Sequence, residues 1–495
     1  MKKNLVKIIS FLVIWILLLN KFHEVFKFKY GDGIYGLNNF YLVEENSIDV
    51  MFFGSSHIFE DVNTGVLWDE FGIASYDLCG SIQPLWNTYY YMKEALKTQK
   101  PKLMVLDCYC ATLTVDFTDS SRIIKNNYGL KLSLDKINSI KVSSPKSEYN
   151  NYMLEYPTYH SRYDSDISYT DFIQGAWDVN CKYWKGHGIN TLTTEFSKCE
   201  GIDNIKDTEQ LTYKAETYLR KIIELSKENN IPLVMIVTPY PLNPTNNEHI
   251  RQLRIYNRVS EIAAEYEIPF INYNYMYDEI GLDFSRDFAD TDHLNYNGNP
   301  KFTKYLGKWI KENYEIPDRR GNNNYSDYDI MAKDCRMKIY NQELRDINDI
   351  GNWLNKAQCE DYLLVYTISG DYKNMDNYED VKNELKLFNV DLEKVRGDSV
   401  WIVKNGELLF ASGDDDRYCW YKDIGENDCL TVTNSDSLFE MDNKEPPIIK
   451  YNNTIMKPVQ SGLTVFVYDT FTQTYVETVG FSINNGNMSY SKISK

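Results

Sequence analysis

Short apolar runs alternate with amphipathic segments from residue 48 to residue 313, and this alternation limits the fold more than any other feature of the sequence. Runs such as "DVMFFG" and "KLMVLD" have the length and composition of buried strands, and the segments between them have helical spacing. The pattern predicts an α/β domain in which helices cover both faces of a parallel sheet. Predicted strands occupy residues 48–53, 74–78, 102–107, 233–237 and 269–273, and predicted helices occupy 59–70, 84–99, 208–229, 248–266 and 298–313.

The chain is too long, at 495 residues, for one ordinary core, which predicts two domains and a terminal segment. Periodicity is lost at about 109–206, as in an inserted lid or subdomain, with an ordinary polar insertion as an equal alternative. After the polar segment "EIPDRRGNNNYSDYD", strands joined by hairpin turns follow, with one helix at about 377–388. The predicted organisation is a transmembrane segment at 1–30, an α/β domain at 31–316, a linker at 317–329 and a smaller β-rich domain at 330–495.

The first residues, "MKKNLVKIISFLVIWILLLNKF", form an apolar stretch long enough to span a bilayer if its flanking lysines reach the interface. No small-residue cleavage site follows, so an uncleaved signal anchor is favoured over a removed signal peptide. No second hydrophobic span follows, which predicts a single-pass protein of the cell membrane whose bulk is extracytoplasmic. A buried amphipathic helix is the alternative interpretation.

Charge and cysteine content exclude some classes of function. The 71 acidic and 53 basic residues give a net charge of -18, which repels phosphate backbones, so no nucleic-acid partner is expected. The nine cysteines include no C-x-x-C pair, and neither a metal site nor a cofactor is predicted. Cys419 and Cys429 are close enough in sequence to bridge a loop. The acidic run at 414–416 is a calcium site or, more simply, a solvated loop.

A candidate nucleophile stands where the first predicted strand ends, in "FFGSSHIFED". Ser56 or Ser55 on this turn would be exposed at the carboxyl edge of the sheet, with helix N–H groups facing any oxyanion. A serine nucleophile needs a base, and of the six histidines only His293 has a carboxylate, Asp290, three residues before it. His57 is expected to point away from the serine. The plainer alternative is that Ser56 is a helix cap and His293 a surface residue.

The blocks "GSSH" and "DTDHLN" together resemble the SGNH, or GDSL-type, serine hydrolase superfamily over residues 47–313. The closer likeness is to its membrane-anchored branch, which is related to the D-alanyl-lipoteichoic acid biosynthesis protein D and to polysaccharide O-acetyltransferases. The resemblance implies a flavodoxin-like sheet, Ser56 as nucleophile, His293 as general base and Asp290 as the group that orients it.

Two further blocks of that superfamily are altered in this chain. In "YDLCGSIQPLW", Asp77 stands for the usual Asn and Gly80 is the candidate oxyanion donor, while "LDCY" replaces the Asn of the third block. Asp107 and Tyr109 from this segment, and His160 from the insertion, complete the oxyanion and substrate candidates. The insertion also carries further aromatic and basic residues suited to a substrate groove: Tyr156, Tyr159, Arg162, Tyr163, Trp177, Trp184 and His187.

The β-rich domain resembles the domain of the interleukin-like epithelial-mesenchymal transition inducer family, through "SVWIVKNGELLFAS" and "GLTVFVYDTFTQTYVETVGFSIN". That resemblance implies a small fold that binds carbohydrate or protein. No catalytic group of residues is found in it.

These features predict a membrane-anchored serine acyltransferase or esterase that transfers or removes an acetyl or D-alanyl group on hydroxyls of a cell-envelope polysaccharide or teichoic acid. A membrane-bound O-acyltransferase partner is implied by the family alone. The acidic charge disfavours an anionic polymer unless a basic groove or cations compensate. The alternatives are a catalytically inactive glycan-binding protein or adhesin, and a plain esterase acting on soluble substrates.

Overall fold

The structure is a computed structural model that describes residues 2–26, 32–153, 155, 185–370, 378–387, 393, 398–412, 417–425, 428–434, 447–452, 454–456, 458–459, 462–484 and 487–492. The chain forms two compact units, Met1–Cys335 and Arg336–Lys495. Residues 317–329, predicted as a linker, include Arg319, whose guanidinium forms a two-pronged ion pair with Asp49 of the first unit at 2.8 and 2.9 Å.

The first unit is built on five parallel strands: β1 (Val50–Gly54), β2 (Ser75–Cys79), β3 (Leu103–Asp107), β4 (Leu233–Val237) and β5 (Phe270–Asn272). Their order across the sheet is β2-β1-β3-β4-β5, the flavodoxin-like order. The predicted α/β fold class is therefore confirmed. The carboxyl ends of β1 and β3, neighbours in this order, meet at one edge of the sheet.

Helices and short turns connect these strands. The α-helices among the described residues of the first unit are Lys2–Phe26, Asp32–Phe40, Ser56–Asp61, Thr64–Phe71, Leu85–Ala95, Ser120–Lys125, Leu134–Ser143, Tyr149–Met153, Tyr213–Glu228, Asn247–Glu265, Tyr277–Ile280 and Gly298–Asn313. The helix Ser326–Asp346 begins in the first unit and ends in the second. The single helix predicted at 59–70 is two helices, because the Asn63 side chain accepts the Val66 amide and caps a new helix.

The sheet is buried on both faces, as expected for parallel strands. Val50, Met51, Phe52 and Phe53 of β1 have no exposed surface, and all five residues of β3 and of β4 are buried. A rigid sheet of this kind holds the residues that follow its strands in fixed positions.

The N-terminal helix carries an apolar span, Leu5–His23, with a mean hydropathy of 2.1 and none of its window buried. Among the described residues it is the one helix long and apolar enough to cross a membrane. Length and composition therefore fit either a membrane anchor or a signal sequence.

The second unit is β-rich, with two antiparallel sheets. The six-stranded sheet has the order β15-β14-β13-β6-β7-β8, and the four-stranded sheet has the order β12-β11-β10-β9. Their strands are β6 (Tyr362–Ser369), β7 (Ser399–Lys404), β8 (Glu407–Ser412), β9 (Cys419–Asp423), β10 (Cys429–Thr433), β11 (Ile448–Tyr451), β12 (Thr454–Met456), β13 (Gly462–Asp469), β14 (Thr474–Asn484) and β15 (Asn487–Lys492), with helices Ile350–Ala357 and Tyr378–Leu387. One face of the larger sheet packs on Trp353 and Leu354, and the other packs on Leu430 and Val432 of the smaller sheet.

The proposed Cys419–Cys429 bridge is wrong, since both thiols are free. Cys419 pairs with Thr433 and Cys429 pairs with Asp423, so the two cysteines lie at opposite ends of the β9–β10 ladder. The acidic run at 414–416, considered as a calcium site, lies outside the described residues.

Candidate active site

Ser56 lies at the turn from β1 into the first helix after it. Ser55 keeps an extended backbone, and Ser56 is the first residue of the Ser56–Asp61 helix. Only 8% of Ser56 is exposed. The serine hydroxyl is therefore held at the carboxyl edge of the sheet, close to the loops that follow the other strands.

Gly54 makes this turn possible. Its φ is +151°, a backbone conformation that side chains with a Cβ rarely adopt. A Cβ here would stand 2.8 Å from Asp107 Cβ and 3.1 Å from Ile58 Cγ1. The glycine of "GSSH" therefore lets the ends of β1 and β3 approach each other directly beneath the serine.

The structure brings Ser56, His293 and Asp290 into one chain of hydrogen bonds. His293 lies between β5 and the helix Gly298–Asn313, and its Nε2 is 2.8 Å from Ser56 Oγ. Its Nδ1 is 2.9 and 3.1 Å from the two carboxylate oxygens of Asp290. A carboxylate at Nδ1 favours the tautomer with its proton there, which leaves Nε2 free to accept the serine proton.

Asp290 is fixed by its own loop. Its Oδ1 also accepts the backbone amides of Asp292 at 2.8 Å and His293 at 3.0 Å. Partial burial opposes ionisation, but the bond to the His293 ring and these amide donors hold the pKa of Asp290 below its ordinary value. The orienting group is therefore ionised.

Negative charge surrounds the His293 ring. Burial by itself would lower the pKa of His293, but the Asp290 hydrogen bond and the charges of Glu60, Asp61 and Asp290 outweigh it and raise the pKa to about 9. The resting imidazole is therefore largely protonated at neutral pH.

Activity that depends on His293 as a base is expected to rise with pH and to level off near pH 9. Only neutral imidazole can accept the serine proton, so kcat/KM should increase about tenfold per pH unit below that value. The measurement is kcat/KM for an activated ester across pH, corrected for spontaneous hydrolysis. A rise of kcat/KM centred at pH 6.5, the ordinary pKa of histidine, would contradict the claim that neighbouring carboxylates raise the pKa of His293.

Replacing Asp290 by asparagine is expected to lower kcat by about 10³- to 10⁴-fold. The amide can still accept the two loop N–H groups, but it cannot hold an imidazolium or fix the same tautomer. Asp292→Asn is the matched control, since Asp292 bonds the Tyr109 hydroxyl, and its loss should be far smaller. Equal losses in steady-state kcat would remove Asp290 from its role.

Two of the other predicted residues, Asp107 and Tyr109, lie beside this chain but contact different partners. Asp107 is buried at the end of β3, where it accepts the Ser55 hydroxyl at 3.3 Å, and burial raises the pKa of Asp107 to about 6. The Tyr109 hydroxyl donates to Asp292 Oδ1 at 2.9 Å. Both residues therefore support the surroundings of the site. Neither has a hydrogen bond to the Ser56 hydroxyl in the described part of the chain.

Gly80 follows β2, and the nearest atoms to a Cβ built there belong to Asn126 and Gly33. His160 lies outside the described residues, as do the aromatic and basic residues predicted between 156 and 184. His187, from the same insertion, is described and is 3% exposed. Burial lowers the pKa of His187 to about 3, so it is a neutral interior residue.

Sequence analysis set one neighbour of the site aside and missed another. His57, expected to point away from the serine, has a buried ring that stacks on Tyr109, with centroids 3.8 Å apart, and lies 5.1 Å from the His293 ring. Glu60 Oε2 lies 3.9 Å from His293 Nδ1 and accepts the Asn190 amide at 2.8 Å. Glu60 is four residues after Ser56, on the same face of one helix, and that spacing is the signal that could have found it. The described residues contain no group of His, Cys, Asp and Glu side chains suited to a metal ion.

Comparisons with known proteins add little beyond the fold. A protein-family model matches residues 186–315, less than half of the chain, and no curated protein matches. Similar solved structures include a protein provisionally described as a lipolytic protein of the G-D-S-L family from Desulfitobacterium hafniense, with 11% identity over 53% of this chain and 99% of that one, at a TM-score of 0.26.

Two further structures are similar to the same degree. A provisionally described acylhydrolase from Bacteroides fragilis has 13% identity over 56% of this chain and 94% of its own, with a TM-score of 0.26. A GDSL-like lipase from Bacteroides thetaiotaomicron has 14% identity over 56% of this chain and 96% of its own, also at 0.26. Likenesses this distant assign no function, so the chemistry has to be inferred from the side chains.

Proposed function

We propose that this chain is a membrane-anchored, extracytoplasmic serine acyltransferase or esterase. The observation that carries the proposal is the 2.8 Å contact between Ser56 Oγ and His293 Nε2, with Asp290 on the far side of the ring. A nucleophile, a base and an orienting carboxylate in this order are the parts that acyl transfer through serine needs.

The proposed reaction has two halves. His293 takes the Ser56 proton as Oγ bonds to the acyl carbon, and the imidazolium then gives that proton to the departing oxygen, leaving an ester on Ser56. In the second half, His293 deprotonates an acceptor hydroxyl or water, which attacks the acyl carbon. The acyl–Oγ bond then breaks, and the imidazolium returns the proton to Ser56 Oγ. The Ser56 backbone N–H, at the start of its helix, is the proposed first oxyanion donor.

The proposed acyl group is acetyl or D-alanyl, and the proposed acceptors are hydroxyls of a cell-envelope polysaccharide or teichoic acid. The exposed apolar span Leu5–His23 supports this location, because an enzyme tethered there works beside envelope polymers. A membrane-bound O-acyltransferase that loads the acyl group from the other side is a proposed partner. Nucleic acid is not a proposed partner, given the net charge of -18.

The test uses the full chain in vesicles or detergent. Hydrolysis of p-nitrophenyl acetate, lost in Ser56→Ala, is the expected result, and adding glycan acceptors should divert acetyl from water to hydroxyls if transfer is the natural reaction. Absence of any ester turnover by folded protein across the pH range would contradict the proposal.

A second candidate function is glycan binding without catalysis. It is favoured by Asp107 and Asp77, buried carboxyl groups at positions where amides would make better oxyanion donors. Saturable glycan binding that Ser56→Ala leaves unchanged, together with no turnover, is the result that this alternative predicts.

A further inference from the structure

Asp61 is a buried carboxylate that the reaction described above does not use. It is the last residue of the Ser56–Asp61 helix and has no exposed surface. Its Oδ1 accepts the backbone amide of Leu294 at 2.8 Å, and its Oδ2 accepts the Thr238 hydroxyl at 2.6 Å. A carboxylate so deep in a domain is costly unless hydrogen bonds and nearby positive charge compensate.

The Thr238 hydroxyl links Asp61 to His57 through two hydrogen bonds. The Thr238 hydroxyl has one proton and donates it to Asp61, so its oxygen accepts from His57 Nδ1, which is 3.0 Å away. Burial lowers the pKa of His57 to about 4, so His57 is neutral and takes part as a donor only through that N–H. Burial raises the pKa of Asp61 to about 7, although the His293 charge and the Thr238 and Leu294 hydrogen bonds oppose the rise. Asp61 is therefore ionised in the alkaline range in which His293 loses its proton.

The Leu294 bond joins the two halves of the active site. Leu294 directly follows His293, whereas Asp61 is on the helix that begins with Ser56. The bond therefore ties the histidine loop to the serine helix and supports the 2.8 Å spacing of Nε2 and Oγ. Loss of that bond would let the base drift from the nucleophile.

Charge gives Asp61 a second effect on His293. The ionisable groups next to the ring are Asp290 on its own loop and His57, Glu60 and Asp61 on the serine helix. Three more groups lie around His57: Asp107, Tyr109 and Asp292. Asp61 has no exposed surface, and water screens a buried charge least. When His293 takes a proton, this buried charge stabilises the imidazolium.

We propose that Asp61 is a positioning residue for the Ser56–His293 pair, holding the histidine loop through the Leu294 amide and stabilising the His293 imidazolium with its charge. The proposal rests on the acyl-transfer function proposed above. Its effect on the protonation of His293 can nevertheless be measured without any substrate. It assigns Asp61 no contact with the substrate.

Asp61→Asn in the full chain is the test, because an amide oxygen can still accept the Leu294 amide while the charge is gone. The expected result is a His293 pKa about one unit lower by NMR of the ring Cε1–H, with the acid limb of kcat/KM moved by the same amount. The alkaline plateau of kcat/KM should fall about tenfold, since the imidazolium of the transition state loses a partner.

An unshifted His293 titration in a folded Asp61→Asn protein would overturn the proposal, even if activity fell equally at every pH. Glu60→Gln is the positive control, because Glu60 lies 3.9 Å from His293 Nδ1 and its charge raises the pKa of His293, so its removal should lower the titration as well. If Asp61→Asn does not fold, Thr238→Val is the substitute test. It removes one hydrogen-bond donor to Asp61 and so favours the neutral carboxylic acid of Asp61. The His293 pKa should then also be lower.

The NMR titration keeps this proposal separate from the proposed function. A shift of the His293 pKa in a protein that turns over no ester would refute acyl transfer and support the charge effect of Asp61. Turnover without any shift would support acyl transfer and overturn the role of Asp61.

Discussion

Ser56→Ala is expected to reduce kcat for an activated ester by about 10⁴- to 10⁶-fold, with little effect on folding. The alanine has no nucleophile to accept the acyl group, and the lost hydroxyl bonds only the His293 ring in the described part of the chain. His293→Ala should cost about as much, and the double variant no more, because the two residues act as one unit. Single-turnover assays on all three variants measure this.

Ser55→Ala is the matched control for that experiment. Ser55 is adjacent and fully buried, but its hydroxyl donates to Asp107. Its replacement should lower kcat by less than about tenfold, because only one hydrogen bond outside the Ser56–His293 pair is lost. A large loss of kcat in Ser55→Ala together with a small loss in Ser56→Ala would show that Ser55, and not Ser56, is the nucleophile.

The largest loss of stability is expected from Gly54→Ala. The new Cβ would be 2.8 Å from Asp107 Cβ, and the φ of +151° would become strained, so the ends of β1 and β3 must separate. The free energy of unfolding of the first unit should fall by about 2–4 kcal/mol, measured by urea denaturation. Activity should fall as well, because Ser56 follows this turn.

Gly281→Ala separates strain from crowding. Gly281 also has a positive φ, +77°, but no atom lies within 4 Å of a Cβ built there. Its replacement should cost about 1 kcal/mol from backbone strain alone. Equal losses of stability in the two variants would contradict the close approach of β1 and β3.

Local patterns predicted much of the first unit. The strand at 233–237 and the helix at 298–313 have the predicted bounds, since apolar runs and helical spacing are properties of neighbouring residues. Ser56, His293 and Asp290 were identified because a strand end, a scarce histidine and a nearby acid can be read from spacing. That they lie within hydrogen-bond distance required the fold.

Features that depend on distant segments were not predictable. Asp61 contacts Thr238 and Leu294 across long stretches of chain, and nothing local to "FEDV" indicates a buried charge. The break between the two helices at Asn63 was missed for a local reason, because it depends on a single capping side chain within a continuous amphipathic pattern. The free state of Cys419 and Cys429 follows from strand register, which the sequence did not reveal.

The most direct test of the account is covalent labelling of the full-length protein with a fluorophosphonate, followed by intact mass and peptide mapping. An activated serine should give one adduct on Ser56, formed faster as pH rises toward 9, and none in Ser56→Ala or His293→Ala. Folded wild-type protein that stays unlabelled across this range, or labelling that persists in Ser56→Ala, would contradict the claim that Ser56 is a nucleophile activated by His293.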